Sequence, residues 1–424
     1  MARWTFLLGL LVLLSVIPGL GCHGSGGLFP DPDPVYPELY KHVVSLGDGG
    51  YLKGDRGFAG TPAELDSKVW SNALAYWNRS PSSDGKKRMV VYIHGGLVSE
   101  NDALKRIEEY RAPFMEAGVY PLAMVWHTGA WESFLDVWHH HVSSDRGLSV
   151  EPPETDCPDT DPDCHEGSDK TTEINARRLF GSQGWQQIKA DALRASRPPA
   201  TGQEAGGAYL FAHLLGEKLR TDPVFAGQFQ LHLVGQSAGA IFIAHFLEDL
   251  IAEGVPVASC TLWAPACELP LYQSIYFPAV RDHKIEDLSI FGLSDPYDRA
   301  DDCNPLPYEK SLLYLISNAL EANASPNDPR VGVPLLGLEN SVRDNTAISA
   351  TFADPAVAGR LRWIAAPTAG GIDAPPVKYQ SNSTQHHCFD DDPTTVNALL
   401  ARILGLESYT SAFPGCLCNK PCDP

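Results

Sequence analysis

The chain has 424 residues, 44% of them hydrophobic, which is ample for a large core. Its 32 Lys and Arg side chains against 52 Asp and Glu give a formal net charge of −20. That balance disfavours electrostatic binding to nucleic acid or to anionic membrane surfaces, so no nucleic-acid partner is expected.

The first element is a targeting segment. Residues 1–22, MARWTFLLGLLVLLSVIPGLGC, carry a single early cation at Arg3, a short apolar run, the helix breaker Pro18 and small residues before Cys22. This is the layout of a secretory signal, and no later segment approaches about 18 uninterrupted apolar residues. Export to the periplasm or the cell surface is expected. The ending Gly19-Leu20-Gly21-Cys22 resembles a bacterial lipoprotein cleavage site, with the leucine two positions before the cysteine instead of three. That resemblance implies lipidation of Cys22 and a membrane anchor made by the lipid. Residues 23–40 are rich in Gly and Pro and read as a tether.

Residues 41–410 read as one α/β domain. Apolar strands are expected at Lys87–Gly96, Tyr120–Gly129, Phe229–Gly235, Val257–Ala266, Leu288–Asp295 and Leu361–Thr368. Helical stretches lie between most of them, such as GAYLFAHLLGEKLR before the third. Continuous apolar runs alternating with helices predict a mainly parallel sheet with helices on both faces. Residues 141–206 break the rhythm. They are polar, acidic and Pro-rich, with one expected helix around GWQQIKADALRAS, and read as an insertion over the carboxyl ends of the strands, above the active site. Residues 411–424 form a Cys-rich tail.

Chemistry concentrates at Gly235-Gln236-Ser237-Ala238-Gly239, between a strand and an apolar helix. A tight strand-to-helix turn needs small residues two before and two after its centre, and it presents the central side chain at the end of the sheet. This is a nucleophile elbow with Ser237 at its tip. A serine hydroxyl needs a base, and the base an orienting acid, in the chain order Ser, Asp or Glu, His. The expected acid is Asp295, which ends a strand, with Asp298 as the alternative; Asp301 and Asp302 lie further along. The histidine should precede the last helix. That helix starts with Asp392 as N-cap and Pro393 at its first position, which leaves His386 or His387. Oxyanion donors are expected at the Ala238 N–H and at Gly96 or Leu97 in the Gly-rich loop YIHGGL, with His94 serving that loop structurally.

With HGG at 94–96, GQSAG at 235–239, the acid after LSIFGLS and HHCFDDDP near the end, the chain from about 87 to 405 resembles the α/β-hydrolase superfamily of serine hydrolases. It is also similar to an uncharacterised bacterial exported group with H-G-G-F-D before its last helix. His387 and Cys388 stand here where that group has two glycines, and aligning Phe389-Asp390 makes His386 the base. The resemblance implies the α/β-hydrolase fold and an acyl-enzyme mechanism on Ser237, Asp295 and His386. A carboxylic ester hydrolase is expected, taking a small or lipid-like acyl substrate without organic cofactor. An amidase or acyltransferase on the same triad, or a non-catalytic surface-anchored protein on the same fold, stays open.

Other features are weaker. His139–His141 are adjacent on an expected helix, so their side chains diverge and no metal site is expected. The carboxylates of 155–164 show some likeness to a calcium loop but lack its mid-loop glycine and terminal glutamate. Of ten cysteines, export permits disulfides, with Cys157–Cys164 and the tail as candidates and Cys260 and Cys267 as buried thiols. If acid and base meet in space, Cys303 and Cys388 are expected to bridge their loops.

Overall fold

The computed structural model describes residues 36, 38–96, 98–126, 166–179, 181–303, 308–324, 332–368, 370 and 374–415. The signal, the lipidation site Cys22, Leu97, His139–His141, the 155–164 loop and the cysteines of the tail lie outside the described residues.

The architecture is α/β around seven strands: β1 (Val43–Leu46), β2 (Lys87–Ile93), β3 (Val119–Trp126), β4 (Phe229–Gln236), β5 (Val257–Trp263), β6 (Leu288–Leu293) and β7 (Leu361–Ala366). Every pairing is parallel, in the order β1-β3-β2-β4-β5-β6-β7. The six expected strands are all present, for a common reason. A parallel strand covered on both faces reads as an unbroken apolar run, and β3 is buried at every position. The seventh, β1, is a four-residue edge strand, too short to show a period.

The strand order reverses once. β2 leads through helix α1 (Glu100–Glu116) to β3 on one side, whereas β4 leads through helix α2 (Gly239–Ala252) to β5 on the other. The loops leaving β2 and β4 therefore diverge, although the strands pair directly, with Ile93 opposite Gly235. In open α/β sheets such a switch point at the carboxyl ends is where ligands bind. The Gly-rich loop and Ser237 both stand there.

Within the expected insertion, two helices are described rather than one: α3 (Glu166–Leu179) and α4 (Gly181–Ala195). Polar bonds fasten them to the chain near 320. Arg177 Nη1 donates to the carbonyls of Ala319 at 2.8 Å and Glu321 at 3.0 Å. Trp185 Nε1 donates to the buried Glu321 carboxylate at 2.7 Å, and Lys189 bridges Glu321 at 2.9 Å and Glu268. The last helix, α5 (Pro393–Leu404), begins as its sequence indicates. Asp392 accepts from the Thr394 and Thr395 N–H groups, and the helix stops at Gly405 with φ 71°. Among the described residues no helix is long and apolar enough to cross a membrane.

Candidate active site

β4 ends at Gln236 and α2 starts at Gly239, so the turn has two residues to reverse direction. Ser237 takes φ 51°, a left-handed conformation that a non-glycine side chain adopts only when its surroundings impose it. Three backbone bonds do so. Ser237 N–H donates to Trp263 C=O at 2.8 Å, and Ser237 C=O accepts from Ala266 at 3.0 Å and Ala240 at 3.1 Å. The flanking glycines are required by contact. A Cβ on Gly235 would lie 2.6 Å from Ile243 Cδ1, and one on Gly239 2.3 Å from the Ile93 carbonyl oxygen. That carbonyl belongs to a central strand and cannot retreat. Gly239→Ala is therefore expected to cost roughly 3 kcal/mol, the upper end for overpacking, read as a lower denaturant midpoint at unchanged m-value.

The loop after β2 lies against the elbow. A Cβ on Gly95 would meet Ser237 Cβ at 3.3 Å, and one on Gly96 would meet Ala238 Cβ at 3.0 Å and Ile188 of α4 at 3.2 Å. The described part of the insertion thus reaches the site. His94 holds the loop. Its Nδ1 bonds Gly95 C=O at 2.8 Å, and its Nε2 accepts from Trp126 N–H at 3.2 Å, which places the ring proton on Nδ1. In the trans peptide the Gly96 N–H then points opposite to that carbonyl. Ala238 is the N-cap of α2, a position whose N–H has no intrahelical acceptor and where the helix end favours negative charge.

His386 meets Ser237. Its Nε2 is 3.1 Å from Ser237 Oγ, and both residues are buried. It opens a short turn, His386–Cys388, which is tied to the sheet and to α1 just beyond. Tyr92 Oη donates to the Asp390 carboxylate at 2.7 Å, Tyr110 Oη to the Asp390 carbonyl at 2.7 Å, and Arg106 bridges Asp390 at 3.2 Å and Asp391 at 2.9 Å. His387 points to the exposed side. Burial pushes the His386 imidazole down to about 3, and the neighbouring His387 adds to the effect.

The acid is where the structure departs from expectation. Asp295 starts a short helix, Asp295–Ala300. Its two oxygens accept from Tyr314 Oη at 2.6 Å and Arg299 Nε at 3.0 Å, so it braces that helix and does not bond the imidazole. Asp298 is enclosed beside Ser311, and burial raises its carboxyl well above the usual range. The carboxylate that reaches His386 belongs to Asp301, beyond the helix. Its Oδ2 accepts from the His386 backbone N–H at 2.8 Å and its Oδ1 from Asp302 N–H at 2.9 Å. Burial pushes Asp301 up to about 7, and those two N–H bonds oppose the rise. Gln236 Nε2 donates to the His386 carbonyl at 3.3 Å. Neither Asp301 nor Gln236 stands out in sequence. One is the third of four crowded acids, and the other is the variable residue of the elbow motif.

The expected Cys303–Cys388 bridge is corrected. Cys388 is disulfide-bonded, but Cys260, Cys267 and Cys303 are not, so its partner lies outside the described residues. Cys260 and Cys267 are buried thiols, as their strand context indicates. Among the described residues no group of three His, Cys, Asp or Glu side chains is placed to hold a metal ion. No protein-family model matches the chain, and no curated protein matches it in sequence.

Proposed function

We propose that the protein is a serine hydrolase of the α/β-hydrolase type, exported and acting on carboxylic esters. The observation that carries this reading is the 3.1 Å contact between His386 Nε2 and Ser237 Oγ at a left-handed elbow on the switch point of a parallel sheet. Ser237 Oγ attacks the acyl carbon while its proton passes to His386 Nε2. The carbonyl oxygen gains the negative charge, which the Ala238 N–H and a donor from Gly96 or Leu97 stabilise. The alcohol leaves with the proton from His386. Water then attacks the acyl-enzyme by the same route and releases the acid. The signal-like N-terminus supports export, with lipid on Cys22 as the anchor.

A fluorophosphonate probe and a panel of p-nitrophenyl esters of graded acyl length, run beside matched amides, test the proposal. Labelling confined to Ser237 with ester turnover is the expected result. No labelling and no turnover on any acyl chain would remove it.

The acidity of the base sets a pH prediction. A base works when unprotonated, and burial has lowered the His386 pKa from its ordinary 6.5. The acid limb of kcat/KM is therefore expected below about pH 5, since this limb reports the free enzyme's base. Stability runs the same way for this group. Between about 3 and 6.5 the unfolded chain binds the proton that the folded one excludes, so the His386 contribution falls as pH drops below 6.5. A half-maximal point near 6.5, in protein still folded by circular dichroism, would contradict the buried placement.

A further inference from the structure

Resting on the serine-hydrolase reading, we propose that Asp301 is a positioning residue that holds His386 by its main chain and not by its imidazole. A base accepting the Ser237 proton at Nε2 carries its own proton on Nδ1, where a serine-hydrolase acid ordinarily accepts it. Here Nδ1 is buried without a hydrogen-bond partner among the described residues. None of the three nearby carboxylates bonds that nitrogen. Asp295 bonds Tyr314 and Arg299, and Asp301 accepts from two backbone N–H groups, one of them that of His386. Asp298 is buried with neither carboxylate oxygen hydrogen-bonded among the described residues, so it does not bond the imidazole either.

The grip is two-sided. Asp301 takes the His386 N–H at 2.8 Å while Gln236, adjacent to the nucleophile, donates to the His386 carbonyl at 3.3 Å. With the backbone fixed at both ends and Nε2 on Ser237 Oγ, the ring has little freedom to turn. The orienting part of an acid's work is thus done one bond removed from the ring. A backbone N–H needs an acceptor oxygen, not a negative charge, and an amide supplies one.

The acid's usual signature is accordingly inverted. Where a carboxylate holds Nδ1–H, replacing it by an amide enforces the wrong tautomer and costs about 10⁴-fold in kcat. Asp301→Asn is instead expected to keep kcat within about tenfold of the parent, the worth of one weakened hydrogen bond. Asp301→Ala, which leaves the N–H without its acceptor and the loop free to shift, is expected to lower kcat by roughly a hundredfold with KM little changed. A 10⁴-fold loss in Asp301→Asn, or no loss in Asp301→Ala, overturns the proposal. The proton NMR spectrum decides it independently of turnover. The expected spectrum lacks the far-downfield signal of an imidazole N–H held by a carboxylate. Such a signal in the parent that disappears in Asp301→Asn refutes main-chain positioning even if the protein hydrolyses no ester, whereas absent probe labelling at Ser237 bears on the enzymatic reading alone.

Discussion

Ser237→Ala is expected to abolish fluorophosphonate labelling and to lower kcat on the best ester by a factor on the order of 10⁶, the scale seen when a nucleophile acting with its base is removed. The loss should be confined to chemistry. Among the described residues Ser237 Oγ bonds the His386 imidazole, and the elbow is held by backbone bonds to Trp263, Ala266 and Ala240 that alanine retains. Alanine also accepts φ 51° at no greater cost than serine. Substrate binding and the unfolding midpoint should therefore stay near those of the parent. The backbone donors around Ala238 survive as well, so slow hydrolysis above the uncatalysed rate is expected to persist. A Ser237→Ala protein with parental turnover would place the chemistry elsewhere.

The second large effect separates two adjacent histidines. His386→Ala removes the only proton acceptor within hydrogen-bond distance of Ser237 Oγ among the described residues and should reduce kcat nearly as far as Ser237→Ala does. On the proposed mechanism serine and histidine act as one unit, so the two losses should not add and the double variant is expected to match either single one. His387→Ala is expected to cost less than about tenfold, since this side chain faces outward and an exposed substitution seldom changes a buried geometry. Steady-state kinetics on the two variants distinguish the neighbours. Reversed effects would mean that the turn presents its second residue to the nucleophile.

The sheet was legible because its strands are buried on both faces and so appear as apolar runs, whereas β1 offered four residues and no pattern. The elbow was legible for a steric reason. Gly235 and Gly239 are small because Ile243 and the Ile93 carbonyl occupy the space a side chain would take. The loop of His386 and His387 could be found because the last helix announces its own start through Asp392 and Pro393, whereas the choice of His386 came from the resemblance at Phe389-Asp390. These signals are local: each residue type answers to neighbours a few positions away or to the strand it terminates.

The acid gave no such signal. Asp295, Asp298, Asp301 and Asp302 share a composition and a stretch of chain, and a helix spanning Asp295–Ala300 rotates and advances them by amounts no spacing rule contains. Its fold alone turned Asp295 toward Tyr314 and Arg299 and carried Asp301 to the His386 N–H. The same holds for Gln236 on the His386 carbonyl, for Ile188 beside Gly96, and for Arg106 on Asp390 and Asp391, each joining positions far apart in the chain. Residue type and local pattern by themselves determined the parallel sheet, the elbow serine and the histidine loop, because backbone sterics and burial act within short segments. Which carboxylate meets His386, and by which atom, was decided only by the tertiary structure, because it depends on how separate segments pack across the carboxyl ends of the strands.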